Sequence, residues 1–326
     1  MNSSPAFRKG PSKSALLRRI ARWLDASPHP LLACEISSGR VAGARWSRGG
    51  ALEDFAVELL PPGSVVPSAV EPNIANASAA RAAVAGILSR LKTSGQDVAL
   101  LVPDPVVRVF VQHFDDFPRS AGEAIPMLRW KLKKSVPFDV EETLVSYMRQ
   151  ASREAGVDIV TGLARHRIVR EYEALVESAG MLPGVVLSSS LAAIALLEDE
   201  RPTLMVRLSG PALTTAIVRE GVLCGYRCTD LPGDIETLSP VVLLEEVYPV
   251  AAYYQDTWHE GIQAVRLAGL GNRLEEFIPS MQKELQCPVS SLVHPVEMEG
   301  RIRQDARPLV DRGLDGLLGW MMNRGA

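Results

Sequence analysis

The side chains best suited to chemistry are few and widely spaced. Five histidines (His29, His113, His166, His259 and His294) include no pair at i, i+4 and no neighbouring carboxylate cluster, so no HExxH or similar metal motif exists. Cys34, Cys224, Cys228 and Cys287 match no zinc spacing, since Cys224 and Cys228 have no second Cys/His pair nearby. They read as small hydrophobes in strands of a protein from a reducing compartment. The run Ser188-Ser189-Ser190 lacks the flanking glycines of a nucleophile elbow and is given no catalytic role. No catalytic residue and no metal site is expected.

Charge offers a different chemistry. Residues 1–30 set Arg8, Lys9, Lys13, Arg18, Arg19 and Arg22 against Asp25, a local charge of +5. Leu16, Leu17, Ile20, Trp23 and Leu24 share one face of a helix over 14–25, with Arg18, Arg19 and Arg22 beside them. Such a helix suits an anionic membrane surface, and packing on the protein body is the alternative. A second basic run, Arg129, Lys131, Lys133 and Lys134, interleaves with Leu128, Trp130, Leu132 and Val136. It reads either as a solvated helix face or as a contact for acidic lipid or a partner.

The chain as a whole is balanced: 326 residues, 35 basic against 38 acidic, net charge -3, 47% hydrophobic. That composition excludes disorder and argues against nucleic acid as the main partner. The length suggests two domains or lobes. No secretory signal opens the chain, and the uncharged stretch 180–197 carries Pro183, Gly184 and the serine run, so it reads as strand-turn-helix. A cytoplasmic location is expected.

Alternation and turn chemistry predict strands at 31–36, 40–46 and 52–60, joined by Ser37-Ser38-Gly39 and Arg48-Gly49-Gly50. Three more follow at 203–208, 212–219 and 222–228, joined by Ser209-Gly210-Pro211 and Glu220-Gly221. The repeated meander predicts a duplicated α/β architecture with a cleft between two lobes. Further strands are expected at 97–102, 106–113, 143–150, 157–164, 185–187, 264–267 and 288–292. Helices are expected at 77–92, 121–134, 168–178 with Gly180 as its C-cap, 191–197, 240–259, 272–286 and 309–321.

This order of elements resembles the actin-like (RNase H-like) fold, and specifically the PilM family of the type IV pilus assembly platform. Three stretches carry the resemblance: Leu128-Arg129-Trp130-Lys131 through Val136-Pro137-Phe138-Asp139 into 143–147; Val160-Thr161-Gly162-Leu163-Ala164-Arg165 followed by 171–183; and 265–274 with its Ala268-Gly269-Leu270-Gly271 loop. After the basic leader over 1–30, the resemblance implies a first lobe over 31–200 containing an inserted α/β subdomain at about 72–165, a second lobe over 201–307, and a C-terminal helix over 308–326 returning to the first lobe. It also implies a role: binding the cytoplasmic N-terminal tail of a PilN-like single-span inner-membrane protein in a groove between first lobe and insert. Trp130, Val136, Pro137 and Phe138 are the candidates for that groove. Contact with the pilus motor ATPases and a peripheral position at the inner face of the inner membrane follow from the same resemblance.

The resemblance further implies a nucleotide site between two hairpin turns, one per lobe, each opened by an Asp that organises magnesium. Here the first turn begins with Glu35 and continues Ser37, Ser38, Gly39. The second has Arg207 where the Asp should stand, followed by Ser209, Gly210 and Pro211. An arginine can pair with phosphate but repels Mg²⁺, and proline removes a backbone donor. The adenosine loop keeps Gly269, Gly271 and Asn272, with Leu270 expected to crowd it. These departures predict a scaffold that hydrolyses nothing and needs no cofactor. ATP with Mg²⁺ bound without turnover stays open, as do an active ATPase of the same platform and a polymerising FtsA-like element.

Overall fold

A computed structural model describes residues 29–91, 95–152, 155–197, 200–231, 233–293 and 302–323. The basic helix expected over 14–25, with Leu16, Leu17, Arg18, Arg19, Ile20, Arg22, Trp23 and Leu24, falls outside the described residues.

Both meanders form where the turn residues place them. β1 (Leu32–Ile36), β2 (Arg40–Trp46) and β3 (Leu52–Leu59) pair antiparallel, as do β9 (Thr203–Ser209), β10 (Ala212–Arg219) and β11 (Val222–Asp230). Each meander is extended by two parallel strands after a helical crossover. In the first lobe, α1 (Ala77–Arg90) leads to β4 (Asp97–Val102) beside β1, and α3 (His166–Ser178) leads to β8 (Leu182–Ser188) beside β4. In the second, α5 (Pro240–Trp258) leads to β12 (Ala264–Ala268) beside β9, and α6 (Leu274–Leu285) to β13 (Val289–Ser291). The sheet orders β3-β2-β1-β4-β8 and β11-β10-β9-β12-β13 are the same pattern twice. The central strands read as nearly continuous apolar runs because helices cover both faces.

Between β4 and α3 lies the insert, a three-stranded antiparallel sheet of order β5-β7-β6: β5 (Arg108–Phe114), β6 (Thr143–Gln150) and β7 (Val157–Arg165). Its helix α2 (Ala121–Leu132) buries Ala124 and Leu128 against Phe114, Phe117 and Ile159 on one face of that sheet. The expected insert boundary near residue 72 is corrected. α1 and β4 belong to the first-lobe sheet, since β4 pairs with β1, so the insert starts after β4 at the one-turn helix Asp104–Val106.

The helix expected over 309–321 is two helices, α7 (Arg307–Asp311) and α8 (Asp315–Met322). Gly313, at φ 60°, ends α7 in a Schellman motif, with Leu314 N–H donating to Leu309 O and Gly313 N–H to Val310 O. Gly180 closes α3 in the same way, as the sequence predicts. α4 (Ser189–Ala193) starts earlier than expected, since the Ser188 hydroxyl caps it by accepting from Leu191 N–H.

α8 packs on α4 and closes the core shared by both lobes, where Ala33 and Leu101 of the first lobe meet Met205 and Ala216 of the second and Leu317 and Trp320 of α8. The two helices approach closely only because Gly319 has no side chain: a Cβ there would lie 2.1 Å from Ala192 O. Gly319→Ala is expected to lower the unfolding free energy by about 1–3 kcal/mol. Gly86→Ala, in the exposed interior of α1 with nothing within 4 Å, is expected to raise it by about 0.5–1 kcal/mol. Urea denaturation of both variants checks the contrast, and equal shifts would refute the close-approach explanation.

Candidate functional site

The C-terminal ends of β1, β4 and β8 point to one place, the usual location of a site in open α/β sheets. Glu35 comes from β1, Asp104 from the turn after β4, Ser188-Ser189-Ser190 from the β8–α4 junction, and Asp315 from the start of α8. The second lobe inserts Arg207 of β9 into the middle. Its side chain is 4% exposed, with Asp104 at 0%, Glu35 at 5% and Asp315 at 10%.

The guanidinium is held from several sides. Nη1 donates to Ser190 Oγ at 3.2 Å and Asp104 Oδ2 at 3.4 Å, and Nη2 to Ser189 Oγ at 2.9 Å and Glu35 Oε1 at 3.3 Å. Nε stands 3.9 Å from Asp315 Oδ2, an ion-pair distance beyond hydrogen-bond reach. The Ser189 hydroxyl in turn donates a hydrogen bond to Glu35 Oε1. Asp104 also accepts from Ser188 Oγ at 2.8 Å, Ser190 N–H at 2.8 Å, Ser190 Oγ at 2.5 Å and Thr214 Oγ1 at 3.0 Å.

Three carboxylates thus surround one cation. Burial works against the Arg207 charge, but Asp104, Glu35 and Asp315 outweigh it and hold the guanidinium pKa up. Burial pushes the Asp315 carboxyl above the ordinary range, Arg207 only partly drawing it back. Glu35 Oε2 has no hydrogen-bond partner.

Above this network opens a cleft of about 700 Å³ between the lobes. Glu35, Ser37, Ser38 and Gly39 of the first turn, Arg207, Ser209 and Gly210 of the second, and Gly269 and Gly271 of the third loop all line it. Asn272 is exposed and stands outside the lining. The turns are engaged with themselves and with each other. Ser37 N–H and Oγ both donate to Arg40 O. Gly210, at φ 58°, lies so near Ser38 that a Cβ would meet its Oγ at 2.2 Å. Gly269, at φ 84°, is needed because a Cβ would collide with Leu208 O at 1.9 Å. Leu270 lines the cleft beside these glycines, but it is 4% exposed and packs into the second-lobe core as well.

These residues do not fit a magnesium-bound triphosphate. A hydrated Mg²⁺ is held by carboxylate oxygens, whereas here Glu35 Oε1 and Asp315 Oδ2 face a fixed guanidinium and Asp104 is taken up by four other donors, which leaves Glu35 Oε2 beside a resident cation. Among the described residues no group of three or more His, Cys, Asp and Glu is placed to hold a metal ion. The four cysteines are free thiols, and burial pushes Cys34, Cys224 and Cys228 up to about 12.

A second cavity, an apolar groove of about 240 Å³, lies between the insert and the first lobe. Its floor is the face of the insert sheet opposite α2, with Leu144, Ser146 and Met148 of β6, Gly162 of β7 and Val109 of β5. Leu187, Leu191 and Ile194 form the facing wall, and Leu223 of β11 closes the back. Gln150 ties insert to second lobe by exchanging two hydrogen bonds with the Leu223 backbone, at 2.6 and 3.1 Å. Trp130, Val136, Pro137 and Phe138 do not line this groove. They sit on α2 and the turn after it, and α2 is drawn to the other face of the sheet by Ala124 and Leu128; Trp130 is 81% exposed. Within the basic run, Lys131 stacks over Phe114 and Arg129 donates to Thr143 O, so both brace the insert.

A carboxyl whose pKa is raised by folding stabilises least once it ionises. Stability referable to Asp315 is therefore complete below the unfolded value of 3.8 and is lost as pH climbs towards the raised folded value. The stability of Asp315→Asn relative to the natural chain is expected to increase with pH across that window. Denaturation curves between acid and neutral pH test this, and a pH-independent difference would overturn it.

No protein-family model matches the chain, and a search of curated proteins gives no match. Solved structures do. The chain is similar to one in the "PilM-PilN type IV pilus biogenesis complex", at 16% identity over 92% of this chain and 100% of that one, with a TM-score of 0.70. The cytoplasmic domain of EpsL, an inner-membrane component of the type II secretion system of Vibrio cholerae, gives 14% identity over 72% and 80% of the two chains, with a TM-score of 0.47. A Bacteroides thetaiotaomicron protein with an actin-like ATPase fold gives 12% identity over 88% and 97%, also with a TM-score of 0.47. The duplicated sheets, the insert and the match along the full length of the pilus protein give this chain an actin-like, PilM-like two-lobed fold.

Proposed function

We propose that the chain is a non-catalytic actin-like scaffold of a type IV pilus platform, or of a related secretion machine, at the inner face of the inner membrane. It receives the extended cytoplasmic tail of a PilN-like single-span membrane protein and links it to the motor ATPases. The observation that carries this reading is the apolar groove between insert and first lobe. Five consecutive residues of β6, 144–148, line it, which a strand offers along an edge, because successive side chains point to opposite faces. β6 is an outer strand of its sheet. An extended peptide can add its backbone to such an edge while alternate apolar side chains enter the groove. The solved complex that shares this fold pairs PilM with PilN, and the +5 leader suits an anionic membrane.

The buried Arg207 supports the non-catalytic part, since it spends on an internal ion pair the position from which a carboxylate would organise magnesium. No cofactor is required for a role in which the groove, not a reactive side chain, does the binding.

Isothermal titration with a synthetic peptide of the partner's first dozen residues should show binding. Leu144→Arg, a change at a half-exposed groove position, should weaken it by about tenfold or more without lowering the melting temperature, since a buried unpaired charge must be desolvated. Absence of both heat and pull-down with the natural chain would sink the proposal. Mg-ATP should leave the melting temperature unchanged, whereas a ligand at 100 times its Kd would add about 2.7 kcal/mol. A shift abolished by Glu35→Ala would restore the ATPase reading.

A further inference from the structure

The ion network and the apolar groove share their walls. On one side, β8 and α4 run through both: Leu187, Leu191 and Ile194 line the groove, while Ser189 and Ser190 between them bind Glu35, Asp104 and Arg207. Ser188 does both, lining the groove and donating to Asp104. On the other side, Asp104 opens the one-turn helix that leads directly to Val107 and Val109, which also line the groove. Asp104 therefore holds the start of both walls. It is in turn held from the second lobe, by Arg207 at 3.4 Å and Thr214 at 3.0 Å, and Ser188 Oγ lies 3.3 Å from the Tyr226 hydroxyl of β11. Arg207 itself touches the cleft and not the groove.

We infer that Arg207 is a positioning residue for partner binding: through Asp104 and α4 it sets the spacing of the two groove walls, doing with a permanently attached cation what would otherwise need a bound ligand. The inference rests on the groove being the peptide site, but the physical core of it does not. A guanidinium fixed in the chain bridges the lobes at every ligand concentration, and its planar fork holds Ser189, Ser190, Glu35 and Asp104 together. Without it, three carboxylates are left facing one another in a buried site, and the turn and helix that carry two of their partners must move apart.

The test uses the full chain and two readouts, hydrogen exchange and titration with the same dozen-residue tail peptide. In Arg207→Met, exchange in 104–111 and 186–194 should quicken by about tenfold or more while α1 is unchanged, since local opening follows the lost contacts. Tail affinity should fall by about tenfold. Arg207→Lys, which keeps the charge, should recover part of both effects. Met281→Ala, a truncation in the second-lobe core away from the network, should lower the melting temperature yet leave both readouts as in the natural chain. Unchanged exchange in both walls, or a tail affinity within about twofold of the natural chain's, overturns the inference. Failure of the natural chain to bind the tail overturns the proposed function instead, and exchange still decides the role of Arg207. If Arg207→Met does not fold, Ser190→Ala removes a hydroxyl joining α4 to both Asp104 and Arg207, and the same two readouts, each shifted severalfold, decide the matter.

Discussion

A guanidinium taken out of water must be met by negative charge and by acceptors for its N–H groups, because the desolvation cost of an isolated ion is several kcal/mol. Arg207 meets this demand with groups drawn from distant parts of the chain: a strand residue, a turn after another strand, a serine-rich helix start and the opening of the C-terminal helix. Neutralising one side chain therefore fixes the position of both lobes and of α8. The serines matter as much as the acids. Each of Ser189 and Ser190 accepts from Arg207 and donates to a carboxylate, which converts a cluster of like charges into a connected network.

The surrounding architecture accommodates that network. α8 lies against it with glycine rather than a larger residue at 316, where a Cβ would come within 2.4 Å of Ser189 Oγ and 3.1 Å of the Glu35 carboxylate. Arg40 at the end of the first turn donates to the carbonyls of Arg312 and Gly313, anchoring the turn that launches α8. The cleft and the groove are consequently two faces of the same strand ends, one facing the lobes' opening and the other facing the insert. At this point the two lobes are joined by the chain's own side chains.

Much of this frame was legible in the sequence. Both meanders and most helices follow from alternation and turn chemistry, and the turns that border the cleft are short local features that the sequence displays directly. What failed was mostly long-range. The insert boundary depended on β4 pairing with β1, and how far Leu270 fills the cleft depended on how much of it packs into the second-lobe core; the split of the last helix is a local matter of Gly313 taking a left-handed φ. The serine run, dismissed for want of a nucleophile motif, proved to be the hydrogen-bonding centre of the site. Asp104 carried one usable signal, an acid between two prolines at the C-terminal end of an apolar strand, where α/β sheets place their sites.

The chain's own sequence determined which residue types stand at the two turns, and so the replacement of an expected acid by Arg207, because residue identity and turn geometry are properties of a few neighbouring positions. Only the tertiary structure decided what that arginine does. Its partners lie 103 and 172 residues away in Asp104 and Glu35, and whether a cation repels, pairs or stays hydrated depends on what packs around it and how much water is excluded.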